Sequence, residues 1–493
     1  MSLQRLTDYK VDDQESIMDI RTERLDPIVS SDYRYVFRLD TMAYVDRNSM
    51  LTFKCHSSAA ANNNCRVNCW NGGLGAIKSI ELQVGDFTIQ KIEDVNLWAT
   101  TNHLYAVPPA VQDKKFSHYL HNALKYEVRE TAGAADCEVV GSIQPSGSVS
   151  GINYGRPDTG AGAAINSFAL SQTAADNETI GIPLGMLLPM LNDRDLPAFL
   201  FNQYKVHLTI EFENQSSKFA NNITQNNYAG GESLRATDGE VLFSNVELLV
   251  DYLILPSRIQ NGVIEETKKQ GGYVLDFLNV STIKKTIPAA TANVDTEVEH
   301  RLNLINQECH YIQFHKQLPN ATNDRVLLNQ KCDGISLETI QFNVNGIDIY
   351  TAGPITNPVE QYNNVTYTLG RDLQVVKPLY VKDPATCASL LSNPQQGLQG
   401  RFKPLMLDLR NGEPNRRGGG RLIGEYPVRV IYKRKPSAAA NTSWFTAGPP
   451  NQNFSVIEAE TGALNCDYFV GTTRVMKVLS MPNGSMNVMV SDI

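Results

Sequence analysis

The chain has 493 residues and a mass of 54.6 kDa, more than one ordinary core holds, so a single undivided domain is excluded. Its 42% hydrophobic and 19% charged content, with a mean hydropathy of -0.27, excludes a disordered chain or a coiled coil. With 44 Lys and Arg against 52 Asp and Glu, the net charge of -8 argues against a body that coats nucleic acid through phosphate contacts, so any basic patch is local.

Residues 1–30 mix Arg5, Lys10, Asp12, Asp13, Glu15, Arg21, Glu23 and Arg24 without an apolar stretch, which fits neither a signal peptide nor a transit peptide. They are expected to form a polar N-terminal arm. Tyr33, Tyr35, Phe37 and Leu39 then alternate with Arg34 and Arg38, the period of a half-buried strand. Within 111–130, Phe116, Tyr119, Leu120, Ala123 and Leu124 recur at helical spacing, predicting a helix that packs on a sheet edge or caps a barrel end. Residues 131–164 are rich in Gly, Ala and Ser, as in Ser146-Gly147-Ser148 and Gly160-Ala161-Gly162, and predict a long exposed loop. Helix and loop together make an insertion at about 105–180 in a first body spanning 31–256.

Val206, Leu208, Ile210 and Phe212 alternate with Lys205, His207, Thr209 and Glu211, and 246–255 forms a further strand-like run. After Leu253-Ile254-Leu255-Pro256 the chain turns polar, through Glu265-Glu266-Thr267-Lys268-Lys269 to Gly271-Gly272, which marks 257–272 as a linker. The second body, 273–493, repeats the alternation in Ile340, Phe342 and Val344 against Thr339, Gln341 and Asn343. Such strands predict antiparallel sheet with one wet face. Between them lie Asn-, Gly-, Pro- and Asp-rich loops rather than the regular helices of a parallel sheet. The fold class is therefore mainly β, with short helices and long loops. No run reaches the ~20 apolar residues of a membrane span.

The two bodies can be laid on each other. Ile77-Lys78-Ser79-Ile80-Glu81-Leu82-Gln83-Val84 matches 337–344, and Ile89 matches Ile349, at an offset of 260 residues. Pro183-Leu184 matches Pro404-Leu405, and Tyr204-Lys205-Val206 matches Tyr426-Pro427-Val428, at offsets of 221 and 222. The shorter second offset is what an insertion in the first body produces, so the repeat and the insertion support one another.

Residues suited to chemistry occur, but each has a plainer role. Cys55-His56 with Cys65 and Cys69 offers soft ligands, yet the spacing fits no standard zinc knuckle. Cys309-His310 and His315, near His300, sit in a strand-like run where positions 310 and 315 face opposite sides and do not chelate one ion. Asp193 with Asp195, and Asp408 with Glu413, could be acid/base or calcium carboxylates, but they lie beside Asn, Arg, Gly and Pro in turns. Gly73-x-Gly75 lacks the third glycine of a dinucleotide fingerprint, and no GxSxG, HExxH or Walker loop is found. Arg416-Arg417-Gly418-Gly419-Gly420-Arg421 is the densest basic spot and reads as a solvated loop. Trp70, Trp98 and Trp444 could be sugar-stacking platforms and read as core or loop anchors. Eight cysteines in so long a chain suggest free thiols rather than a disulfide framework, and the sequons at Asn177 and Asn364 reflect asparagine richness. No residue is assigned a catalytic, cofactor-binding or metal-ligating role, and no cofactor is expected.

In its two tandem bodies of about 200 residues, its polar arm, decorated first half and short linker, the chain resembles the double jelly-roll major capsid proteins of eukaryotic double-stranded DNA viruses. The segments carrying the likeness are Leu196-Pro197-Ala198-Phe199 leading to 204–210, 246–255, Pro404-Leu405-Met406-Leu407 and 426–432. It is an architectural likeness over about residues 30–490, with no diagnostic short motif. Length suggests the virophage, Polinton-like or algal-virus branches.

The resemblance implies two tandem antiparallel β-sandwich jelly rolls standing upright on a shell. It also implies a homotrimeric, pseudohexameric capsomer that tiles an icosahedral facet, with 131–164 in an outer tower and the arm beneath a neighbour. Its partners would be neighbouring capsomers and minor capsid or penton proteins, with an internal membrane or the genome beneath and no small-molecule substrate. Its place would be the virion, after synthesis in host cytoplasm or a viral factory. The competing readings are a carbohydrate-binding or carbohydrate-cleaving β-sandwich protein using Asp193, Asp195, Asp408 or Glu413, and a virion spike.

Overall fold

The computed structural model describes residues 19–58, 65–67, 72–106, 126–130, 137–141, 179–191, 194–216, 219–222, 239–291, 294–317, 339–351, 353–355, 405–410, 420–434, 463–480 and 486–492. Eight strands build a first sandwich: β1 (Asp19–Leu25), β2 (Arg34–Leu39), β3 (Met50–Ser57), β4 (Ile77–Val84), β5 (Phe87–Glu93), β6 (Ile180–Pro183), β7 (Val206–Phe212) and β8 (Val241–Ile254). Eight more build a second: β9 (Gly272–Ile287), β10 (Thr296–Leu302), β11 (Glu308–Gln317), β12 (Thr339–Val344), β13 (Ile347–Asp348), β14 (Leu405–Asp408), β15 (Val428–Arg434) and β16 (Leu464–Ser480).

The pairing is the same in both. One sheet of the first sandwich runs β1-β8-β3-β6 and the other β2-β7-β4-β5; in the second sandwich the orders are β9-β16-β11-β14 and β10-β15-β12-β13. Each strand thus has its counterpart eight places later. All these pairs are antiparallel, and in each roll the eight strands so connected form a jelly roll, to which Val29–Ser30, Tyr44–Val45, Arg421–Leu422 and Met486–Asp492 add further pairings.

Alternation makes the core. Tyr35, Phe37 and Leu39 of β2 and Val206, Leu208 and Ile210 of β7 turn inward and are buried. Phe53, Phe212 and Phe243 stack there, with Phe53 and Phe212 centroids 4.9 Å apart in an edge-on arrangement. Each such side chain contributes about 1.5–3 kcal/mol by leaving water. In the second roll Ile312, Phe314, Phe342, Tyr432 and Tyr468 fill a core of their own. Asn345 and Gly346, at φ 53° and 79°, join β12 to β13, the Asn-Gly pairing that a tight hairpin turn with two left-handed residues favours.

Long and short connections are segregated. Ser57 at the end of β3 pairs with Val241 at the start of β8, and Ile180 at the start of β6 pairs with Phe53. The connections 58–76, 94–179 and 213–240 therefore leave from one end of the first roll. Cys65–Val67 and Ala220–Asn222, from two of those connections, pair with each other. In the second roll Gln317 pairs with Asn465 and Phe314 with Leu405, so the strand ends that flank 318–338, 349–404 and 435–463 share one end likewise. The other end of each roll carries the short links at 85–86 and 345–346, and β1 starts there because Asp19 pairs with Ile254.

Several expectations need correction. The arm expected over 1–30 is shorter, because Asp19–Leu25 is β1 and Val29–Ser30 pairs with β2; residues 1–18 lie outside the described ones. The helix expected over 111–130 ends instead in a strand, Tyr126–Glu130, hairpinned to Cys137–Gly141 within the expected loop. Tyr126, Val128 and Glu130 alternate with period two, and the residues that carry the helical spacing, Phe116 to Leu124, all precede this strand. The rest of that helix, and 142–164, lie outside the described residues. A helix does form earlier, α1 (Val95–Ala106), and the expected linker is mostly a second helix, α2 (Ser257–Lys269). Val263 and Thr267 of α2, one turn apart, are its buried face. The wet face expected on β12 is covered: Gln341 and Asn343 are buried, the first donating to the Tyr350 carbonyl (3.0 Å) and the second to Asp348 Oδ1 (2.8 Å).

Candidate functional site: the seam between the two rolls

The most elaborated surface among the described residues lies between the rolls. β5 of the first roll runs alongside β9 of the second. Gln90 Nε2 donates to the Leu278 carbonyl (2.9 Å), Thr282 Oγ1 donates to the Glu93 carbonyl (2.9 Å), and Lys284 pairs with Asp94 (2.5 Å). Residue numbers rise together along both strands, so β5 and β9 point the same way and the long-connection ends of both rolls face the same direction.

The seam has an apolar body and polar pins. Tyr273, Leu275, Phe277, Tyr311, Phe469 and Met476 of the second roll belong to the same continuous cluster as the first roll's core. Apolar burial of that kind distinguishes a fixed interface from a hinge between domains. Gln90 is fully buried, and besides donating to Leu278 it accepts from the Met190 backbone N–H (3.2 Å). Trp98, on α1, donates its indole N–H to Tyr311 Oη (3.2 Å). Arg474 of β16 donates to the Ile89 carbonyl (2.9 Å), and Gln260 of α2 donates to the Met42 carbonyl (3.0 Å). Unmaking one such buried bond costs about 1–3 kcal/mol, so the relative placement of the rolls is strongly held.

Among the described residues the candidates taken from sequence are not gathered into one site, although the Asp408 charge is felt at His310. Cys55 points into the core and His56 to the opposite face of β3; burial raises the Cys55 thiol pKa and lowers that of the His56 imidazole. Cys65 lies on a short strand and Cys69 outside the described residues. In β11, Cys309 is buried, and burial with the Glu308 charge pushes its thiol up to about 12. His310 bonds Thr473 Oγ1 (2.6 Å), whereas His315 bonds Gln313 and packs edge-on against Phe469. His300 bonds Tyr468 Oη (2.7 Å) and faces the Thr286 carbonyl.

Asp195 accepts the Arg47 backbone N–H (3.1 Å), and burial raises its pKa. Asp408 is clasped by Arg410 through Nε (2.9 Å) and Nη2 (2.7 Å), a turn rather than a catalytic pair. Asp193, Glu413, Arg416, Arg417, Trp70 and Trp444 lie outside the described residues. Gly73 and Gly75 sit in a 3-10 turn, Gly72–Ala76, and Arg421 on a two-residue strand against β11. Among the described residues no three His, Cys, Asp or Glu side chains are grouped to hold a metal, and no helix is long and apolar enough to cross a membrane.

The seam residues themselves were missed by sequence reading. Gln90 and Asn279, whose side chains approach to 3.5 Å across the seam, look like ordinary polar positions of alternating strands, whereas Trp98, read as a core or loop anchor, is part of the seam.

No protein-family model matches the sequence, and no curated protein matches it. Solved structures do match over nearly its whole length. The chain is similar to PBCV-1 VP54, as fitted into a cryo-EM reconstruction of the virophage Sputnik, with a TM-score of 0.57 at 10% identity, covering 97% of this chain and 98% of that one. It is similar to a chain of the Sputnik virophage structure, with a TM-score of 0.52 at 9% identity over 96% and 88%. It is similar also to the mavirus major capsid protein, with a TM-score of 0.50 at 8% identity over 96% and 90%. Strand order, the repeat of that order and these likenesses agree: the chain has the double jelly-roll fold of those capsid proteins.

Proposed function

We propose that this chain is a major capsid protein, three copies of which form a pseudohexagonal block that tiles an icosahedral shell. The observation carrying this reading is the seam: two jelly rolls of one strand order are locked side by side with their long connections at one end. Two upright rolls per chain and three chains per block give six corners. The block works as a rigid tile, without chemistry of its own.

The end bearing 94–179, 213–240, 349–404 and 435–463 faces outward, with 131–164 in a tower. The end where β1 starts, with its short links, faces inward, where residues 1–18 reach beneath a neighbour. Neighbouring blocks and minor capsid or penton proteins are its partners, and the virion is its place. Of the carboxylates in the carbohydrate reading, the described ones are engaged apart from each other, Asp195 by the Arg47 backbone N–H and Asp408 by Arg410.

Light scattering on the purified chain tests the proposal. A stable species three times the 54.6 kDa chain mass is expected without any ligand; a single-chain mass at moderate concentration would overturn it.

A further inference from the structure

The second sandwich carries one strand beyond its jelly roll, β17 (Met486–Asp492), which pairs antiparallel with β16 from Met486 opposite Ser480 to Asp492 opposite Arg474. β11 pairs with that edge of β16 only as far as Thr472, so β17 continues the sheet where β11 stops. On β8, the counterpart of β16, the stretch beyond Leu249 holds only two residues there, Tyr44 and Val45, opposite Leu253 and Tyr252. The first roll thus closes without such a strand, and closing the second roll does not account for β17.

Its position does. β17 lies alongside β5 of the first roll. Alternation puts Val488 and Val490 on one face, opposite Val478 and Met476 of β16. Val488 is wholly buried whereas Met489 beside it is 51% exposed, so the face carrying the valines is the covered one. Val488, Val478 and Met476 belong to the apolar cluster that runs into the first roll, and Val490 packs against it. A single guanidinium joins the three strands: Arg474 of β16 donates through Nη1 to the Ile89 carbonyl of β5 (2.9 Å), and its Nε stands 3.2 Å from Asp492 Oδ1 of β17.

We propose that β17 is a separable strap. The trough between β5 and the edge of β16 at 474–480 is a binding site for an extended segment, and filling it fastens the two rolls at their short-link end. Its chemistry sets what it takes. Main-chain pairing runs along β16, as when a peptide adds a strand to an open sheet edge. The apolar floor takes two small branched side chains two positions apart, and Arg474 takes a carboxylate two positions further on. Met486–Asp492 of this chain carries that pattern in Val488, Val490 and Asp492 and is the occupant. The strap works within one chain, whatever number of copies assemble.

Cutting the chain after it has folded tests the site. With a protease recognition sequence in place of residues 482–485, the cleaved segment from Met486 onward is expected to stay with the body through gel filtration. An excess of isotopically labelled peptide 486–493 is expected to replace it, seen as a mass shift by native mass spectrometry. A segment lost on cutting, with no labelled peptide taken up, would overturn the site. A variant of the uncut chain, Val488→Asp/Val490→Asp, tests the fastening by hydrogen exchange. Amides of β5 and of 272–279 are expected to exchange roughly tenfold faster or more, a local opening, while β2, β7, β12 and β15 keep their protection. Faster exchange confined to 474–480 and 486–492 would overturn the fastening. If the aspartates unfold the chain, Val490→Ala takes their place, with the same local pattern expected and a uniform change, or none, contradicting.

Discussion

His315 has an acid-labile position. It is almost wholly buried at the seam side of β11, bonded to Gln313 and packed on Phe469, and burial pushes its imidazole down to about 3. The unfolded chain takes up a proton near pH 6.5, the folded one only near 3, so the unfolded state binds more protons between these values. Stability is then fully present above about 6.5 and falls as pH drops toward about 3, at up to about 1.4 kcal/mol per pH unit from this group. His300 and His310, also lowered by burial, add in the same direction. His315→Gln is expected to flatten part of the dependence of the thermal midpoint on pH between 6.5 and 4; an unchanged slope would contradict the burial account. The opposite parity of positions 310 and 315 was legible in the strand alternation, but not that the Tyr311 side of the strand meets the other roll. Coverage of that kind depends on contacts over 200 residues apart, such as Trp98 with Tyr311.

At the scale of elements, the seam constrains the strands beneath it. Gly471 of β16 lies under the Tyr311 ring, where an added Cβ would stand 2.5 Å from Tyr311 Cε1. Tyr311 is buried and tied at its hydroxyl by the Trp98 indole N–H, so the ring cannot simply move away. Gly471→Ala is expected to cost about 1–3 kcal/mol through overpacking, seen as a lower thermal midpoint. A second substitution, Tyr311→Leu, should remove most of the further penalty of Gly471→Ala; a full additional penalty in that background would refute the contact. Strands were the most legible elements, because β2, β7 and β12 carry clean two-residue alternation. Helices were not: α1 follows β5 with little helical patterning, and α2 hides in a polar stretch that reads as linker. Strand Tyr126–Glu130 shows the reverse case, where the expected helix was carried past its last apolar match, Leu124, into residues that pair as a strand.

At the scale of the molecule, the duplication was legible where strand counterparts are the same length. Ile77–Val84 and 337–344 are β4 and the β12 region, and Val206 and Val428 begin β7 and β15. The Pro183 and Pro404 match found the right strands in the wrong register, since Pro183 ends β6 while Leu405 begins β14. Side-by-side placement of the rolls came only as what the resemblance implies and is not legible in residue patterns: it depends on the seam, whose polar pins are scattered from Met42 to Arg474. On the function proposed above, that placement turns two jelly rolls into one tile. Negative-stain imaging of the purified chain tests it most directly. Six-lobed hexagonal outlines, with three protruding masses on one side, are the predicted result; a field of two-lobed particles, or rings with another number of lobes, would contradict the account.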